Sequence, residues 1–195
     1  MTVSSGASER ATDARARLLE AALRCAVRDG SGALSLQSIA SEASVSKALI
    51  LYHFRGKEQL LATIIEWLTE RILSREVVAL AESSAMSVLD DYWRWLAAEL
   101  KAGELGVLVE LTQERGADAV AALAASAHRR HETAEGTITR VFNLLGLSPR
   151  LAVPMLGACE LAFRDGLVVG AAREPDRNVR VAFDVFWLSL LSLAK

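Results

Sequence analysis

The sequence predicts an all-α protein with a small N-terminal head of three helices and a larger body of six. Three observations predict it. Apolar residues recur at three- and four-residue spacing over most of the chain, the repeat of a helix with one buried face. Ala and Leu, both strong helix formers, dominate long stretches, while clusters of β-branched and aromatic residues are rare. Only three prolines interrupt 195 residues.

The elements follow in order. Met1 to Arg10 is Ser-rich with no apolar stretch, so residues 1–11 read as a disordered tail rather than a signal peptide. The first helix is expected from Thr12, a capping residue, with Leu18, Leu19, Ala22, Leu23, Cys25 and Ala26 on its apolar side, and Gly30 ends it. Ser35 caps a short helix from Leu36 to Ala43. Ser44 and Val45 form a turn, and Ser46 caps the next helix, Lys47 to about Phe54. After Gly56 a long helix runs from Lys57 to about Ala81. Three more are expected over residues 87–102, 104–114 and 117–145, the last ending at Gly146. Ser148-Pro149 reads as the start of an eighth helix reaching Ala172, with a kink or an irregular first turn at Pro154. Glu174-Pro175-Asp176 starts a ninth, reaching about Leu193.

Composition narrows the function. The chain is 52% hydrophobic and 24% charged, which excludes disorder throughout. The net charge of −2 excludes a general nucleic-acid glue, but residues 1–60 carry +2 and the remainder −4. The apolar runs 151–172 and 179–194 are broken by Pro154, Glu160, Arg164 and Asp165, or by Asp184, so no membrane partner is expected. Cys25 and Cys159 lie far apart in apolar patterns without metal-ligand spacing. They read as buried reduced thiols of a cytoplasmic protein.

Two short capped helices joined by a tight turn form a helix-turn-helix unit. Ser46, Lys47 and Ala48 stand at the start of its second helix, where small or donor-bearing residues can approach base edges and phosphates. Tyr52 and His53 offer ring-borne donors one turn later, while Ile50 and Phe54 share a face that anchors the helix. Lys57 stands at a helix N-terminus suited to a phosphate, and Ser35 and Gln37 hold the matching place on the preceding helix.

Several runs occur in order without gaps: Leu18-Leu19-Glu20-Ala21-Ala22, Gly30, Ser35 to Ala40, Val45-Ser46-Lys47-Ala48, and Leu51 to Glu58. Together they resemble the TetR family of transcriptional regulators. Beyond about residue 62 the likeness is weak, with Asp165-Gly166-Leu167 its most familiar piece. The resemblance implies a homodimer that binds a palindromic double-stranded DNA operator and lets go when a small molecule binds the body. The sequence departs from the family at Ser44, where a turn glycine is usual, so that turn is expected to carry slight strain. Leu51 stands where a tyrosine is usual, exchanging a phosphate-contacting hydroxyl for a thymine-methyl contact. Cys25 and Ser31 replace two aromatics of the head core.

This gives three units: a tail over 1–11, a DNA-binding domain over 12–56, and an effector-binding and dimerisation domain over 57–195. For the effector the resemblance nominates Trp67, Trp93, Leu108, Leu111, Phe142 and Phe163 as pocket walls. Glu110, alone in the apolar run 106–111, reads as a buried carboxylate, either paired with an arginine or anchoring a ligand. Gly157, Ala158, Ala162, Gly166, Phe183, Phe186, Trp187 and Leu190 are expected at a four-helix dimer interface. His128, His131, Glu132 and Glu135 share a helix face, but the surrounding charge points to a solvated surface rather than a metal site. No cofactor motif and no convergent acid–base set is present, so an enzyme is not expected. The alternative to an effector-released repressor is a DNA-binding regulator controlled by a protein partner. A body filled by side chains would mark it.

Overall fold

The computed structural model describes residues 4–174 and 178–195. Among them are nine α-helices and one short 3-10 turn, with no strand. The head holds α1 (Ser4–Asp29), the 3-10 turn Ser31–Ala33, α2 (Leu36–Glu42) and α3 (Lys47–Phe54). The body holds α4 (Lys57–Leu80), α5 (Val88–Ala102), α6 (Glu104–Leu111), α7 (Ala117–Leu144), α8 (Val153–Arg173) and α9 (Val179–Leu191).

Local chemistry accounts for most boundaries. Gly30 ends α1 at φ 83°, and Gly146 follows α7 at φ 67°, conformations glycine adopts without a Cβ clash. Ser35 and Ser38 form a reciprocal capping box at α2: the Ser38 amide donates to Ser35 Oγ and the Ser35 amide to Ser38 Oγ, both at 3.0 Å. Ser46 Oγ accepts from the Leu49 amide at 3.2 Å and caps α3.

Four expectations are corrected. α1 begins at Ser4, before Thr12, so much of the expected tail is helical. Glu9, Arg10 and Ala11 favour helix, and nothing there stops a helix nucleated by the buried Leu18–Ala26 segment. α8 begins at Val153, not beside Pro149, and Pro154 sits in its first turn, where no amide partner is lost. Pro149 instead bridges Ala194, with the Arg150 amide donating to the Leu193 carbonyl at 2.8 Å. α9 starts after Asn178, whose side chain accepts from the Arg180 amide; Pro175 and Asp176 of the expected start lie outside the described residues. Cys159 is exposed, whereas Cys25 is buried and its thiol pKa is pushed up by burial and by Glu42.

The core is continuous. Leu18, Ala22, Ile39, Ile50 and Phe54 of the head join Leu60, Ile64, Leu68, Leu108, Phe142 and Trp187 of the body in one buried cluster. α4 packs most extensively on α7, and α7 on α8. Charged groups add a second tie. Arg71 pairs with Glu20 of α1 and with Glu104 of α6, while Arg75 pairs with Glu99 at 2.7 Å and Glu104 at 2.6 Å. No described helix is long and apolar enough to cross a membrane.

Candidate nucleic-acid interface

α3 is fixed from below and free above. Ile50 and Phe54, one turn apart, are both fully buried. The Arg15 guanidinium lies 5.4 Å from the Phe54 ring centre, adding a cation–π contact from α1. On the opposite side Ser46, Lys47 and Ala48 are exposed, Leu51 is 39% exposed and Tyr52 78%. His53 is half-buried and meets the Tyr52 ring edge-on at 5.2 Å.

The supporting residues follow the same pattern. Ser35, Gln37 and Lys57 are exposed at the starts of α2 and α4. Ser35 Oγ accepts from the Ser38 amide and donates to Ser38 Oγ, both at 3.0 Å, which leaves its second lone pair for another donor. Arg24 and Arg28 are held by Glu42, at 2.8 and 2.9 Å, so these cations brace α1 on α2. Ser44 takes φ 55°, the left-handed region disfavoured for a residue with a Cβ, as its substitution for glycine led us to expect. Arg55 takes φ 56° where α3 ends.

The body departs further from expectation. Glu110 is exposed, not buried, and its Oε2 accepts from the Ser31 amide at 2.8 Å. It thus caps the 3-10 turn of the head from α6, and this partner is a backbone amide rather than an arginine. Leu108, Leu111 and Phe142 are close-packed core. Trp67 is half-buried beneath Arg71, Trp93 lies against Phe183 and Arg180, and Phe163 stacks on Phe186 at 4.0 Å. All six belong to, or pack against, the one apolar core.

The interface set divides. Gly157, Phe183, Trp187 and Leu190 are buried within the protomer, Gly157 against the Glu135 backbone, so they offer no surface. Ala158, Ala162 and Gly166 are exposed and Phe186 is half-buried. The exposed apolar surface continues through Met155 and Val169 of α8 and Val181, Val185 and Leu188 of α9. His128 and Glu132 form an exposed pair at 3.3 Å, and no described group of three His, Cys, Asp or Glu residues could hold a metal ion.

A buried polar cluster was missed. Glu76 of α4, Tyr92 of α5, and Glu160 and Arg164 of α8 are each no more than 1% exposed. Arg164 Nη1 donates to Glu76 Oε2 at 2.7 Å, Thr137 donates to Glu76 Oε1 at 2.8 Å, and Tyr92 donates to Glu160 Oε1. Burial, followed by the neighbouring Glu76, pushes the Glu160 pKa up against the pull of Arg164. Burial works against the charge of Arg164, but Glu160 and Glu76 outweigh it and hold the pKa above the ordinary guanidinium value. The signal was present in the sequence: Glu160 and Arg164, spaced i and i+4, interrupt an apolar run and were read only as evidence against a membrane span.

Comparison with known proteins places this geometry. Residues 18–64 match the family model described as bacterial regulatory proteins, tetR family. Over 104 residues the chain is 31% identical to the HTH-type nicotine-responsive transcriptional repressor HdnoR of Paenarthrobacter nicotinovorans. That match covers 50% of this chain and 51% of the relative, about half of each. The fold is similar to a TetR transcription regulator from Haloarcula marismortui (TM-score 0.76, 16% identity, 94% of this chain and all of the other). It is also similar to the transcriptional regulator FadR from Bacillus subtilis in complex with stearoyl-CoA (TM-score 0.71, 14% identity, 91% and 97%).

Proposed function

We propose that this chain, whose N-terminal head belongs to the tetR family of bacterial regulatory proteins, is a sequence-specific DNA-binding transcriptional repressor. The observation that carries the reading is the two-sidedness of α3. Ile50 and Phe54 fasten it, while Ser46, Lys47, Ala48, Leu51 and Tyr52 stand free on the other side. A helix so presented can enter a major groove with its N-terminal residues at base edges. Lys47 and Lys57 supply phosphate contacts, Ala48 and Leu51 apolar contact with thymine methyls, and Tyr52 and His53 donors to the backbone. Ser35 and Gln37 reach the flanking phosphates from the start of α2.

The working unit is a homodimer. The apolar face formed by Met155, Ala158, Ala162 and Val169 of α8 with Val181, Val185 and Leu188 of α9 supports a four-helix contact between two copies. Two heads about 34–36 Å apart then read a palindromic operator. A small molecule in the body releases it, a reading supported by the relative named for its response to nicotine. The close packing of Leu108, Leu111 and Phe142 favours the second reading, control by a protein partner, unless the body interior opens.

The test uses duplexes that the wild-type protein enriches from a randomised library. The enriched sites are expected to be palindromic. Lys47→Ala should weaken binding across all of them and lower the salt slope by about one, and Tyr52→Ala should weaken it further. Both variants should keep wild-type helicity and mass in solution. Failure to enrich any site, or wild-type binding by both variants at controlled salt, overturns the reading.

A further inference from the structure

The core of the body is not satisfied. Glu76 has both oxygens paired, by Thr137 and by Arg164. Glu160 does not: Oε1 accepts from Tyr92 while Oε2 has no partner. Arg164 Nε, 3.8 Å from Glu160 Oε1, Arg164 Nη2 and the indole nitrogens of Trp95 and Trp187 also lack a hydrogen-bond partner. Native interiors leave few such atoms. Here they gather around Tyr92, which stacks on Trp95 at 5.4 Å and meets Trp187 edge-on at 5.6 Å, with Arg164 over the Trp95 ring at 5.5 Å.

The pattern has a chemical signature. Two carboxylates, Glu76 and Glu160, face one guanidinium, Arg164. The next cation, Arg130, is taken by Asp165. One negative charge is therefore in excess among aromatic rings, the surroundings that bind organic cations. A bare ammonium would leave the indole and guanidinium donors unmet. A carboxylate would face two like charges. An approach exists: a groove of about 470 Å³ between α4 and α7 has Thr137 in its lining, and the Thr137 hydroxyl donates directly to Glu76. Thr137 and Glu76 stand in series between the groove and Arg164 of the cluster.

We propose that the cluster of Tyr92, Trp95, Glu160, Arg164 and Trp187 is the effector site, and that it takes a small organic ammonium ion which also carries a hydrogen-bond acceptor. The ammonium pairs with Glu160 Oε2, and the acceptor meets the unpartnered donors of Trp95, Trp187 or Arg164. The inference rests on the effector-released reading above. Glu76 and Lys57 lie on the same helix, α4, so repacking at the cluster acts on the element that begins beside the recognition helix.

The test titrates the full-length protein with 4-(aminomethyl)pyridine, with benzylamine, which lacks the acceptor, and with benzoate. Calorimetry and tryptophan fluorescence give the affinities. The expected order is 4-(aminomethyl)pyridine, then benzylamine, then benzoate. Glu160→Gln should weaken both amines by about tenfold or more. Trp187→Phe, which keeps the ring and removes the donor, should weaken the pyridine compound and spare benzylamine. Benzoate binding as tightly as the amines, amine affinities indifferent to both variants, or no saturable amine binding overturns the proposal. Binding of unliganded protein to its enriched duplexes is measured separately. Amine binding that leaves the duplex bound keeps the site and removes the release mechanism, whereas absent duplex binding removes the repressor reading alone.

Discussion

Head and body solve opposite problems with the same kind of helix. The head buries apolar groups and sends its polar ones outward: Ile50 and Phe54 in, Lys47 and Tyr52 out. The body keeps Glu76, Glu160 and Arg164 inside and leaves Val181, Val185 and Leu188 exposed. In the head, polarity and position agree with the simplest hydrophobic pattern except at the exposed Val27 and Leu51. In the body they conflict twice, once at the core and once at the surface. Such conflicts cost stability, so they mark places where binding rather than folding sets the residue.

The largest expected effect tests this contrast directly. Arg164→Ala leaves Glu76 and Glu160 buried without their cation and should lower stability by about 3–5 kcal/mol. Tyr52→Ala, on an exposed ring, should change it by less than about 0.5 kcal/mol. Chemical denaturation monitored by helicity measures both, and equal losses would break the comparison. Glu76→Leu and Glu160→Leu combined with Arg164→Leu should recover most of the loss, because removing all three partners leaves no orphaned charge.

A smaller effect is expected from pH. The Glu160 pKa is raised in the folded protein above the ordinary value of 4.5, first by burial and then by Glu76, with Arg164, Tyr92 and Arg130 opposing. Between the unfolded and folded values the native state therefore binds more protons than the unfolded state. Stability is then fully present below the unfolded value and falls as pH rises through the folded one. Glu160→Gln should remove that part of the slope. Denaturation curves across the acid to neutral range check it, and an unchanged slope would place the shift elsewhere in the cluster.

The smallest effect sharpens the head. Ser44→Gly should relieve the left-handed turn and raise stability by about 0.5–1 kcal/mol, offset in part by the greater chain entropy of glycine. A calorimetric melt measures it. The gain should come with unchanged duplex affinity, since Ser44 lies before α3 and outside its exposed contact face.

Legibility differed between the two regions for a physical reason. The head was readable because its signals are local. Ser35 and Ser46 cap helices within three residues of themselves, Gly30 turns the chain on its own, and Ile50 with Phe54 declare a buried face by spacing. The α8 start was misplaced because both Pro149 and Pro154 are legitimate helix-start residues. The choice fell to residues 193–195, which pair with 148–150 from the far end of the chain. Glu110 was misread because an apolar run implies burial only if a neighbour covers every side, and α6 leaves that carboxylate at the edge facing Ser31. For the terminal helices, the sequence indicated more apolar surface than one face needs, but not which half faces the protomer's own core.

The amino-acid sequence by itself determined the helices, their order, the turn chemistry of the head and the exposed side of α3. Each depends on spacing within one or two helical turns. Only the tertiary structure decided that Glu76, Tyr92, Thr137, Glu160 and Arg164 meet, that Glu110 serves the head, and that Trp187 faces inward while Leu188 faces out. Those outcomes depend on how α4 to α9 pack. Contacts between residues 60 to 90 positions apart leave no trace in a local pattern.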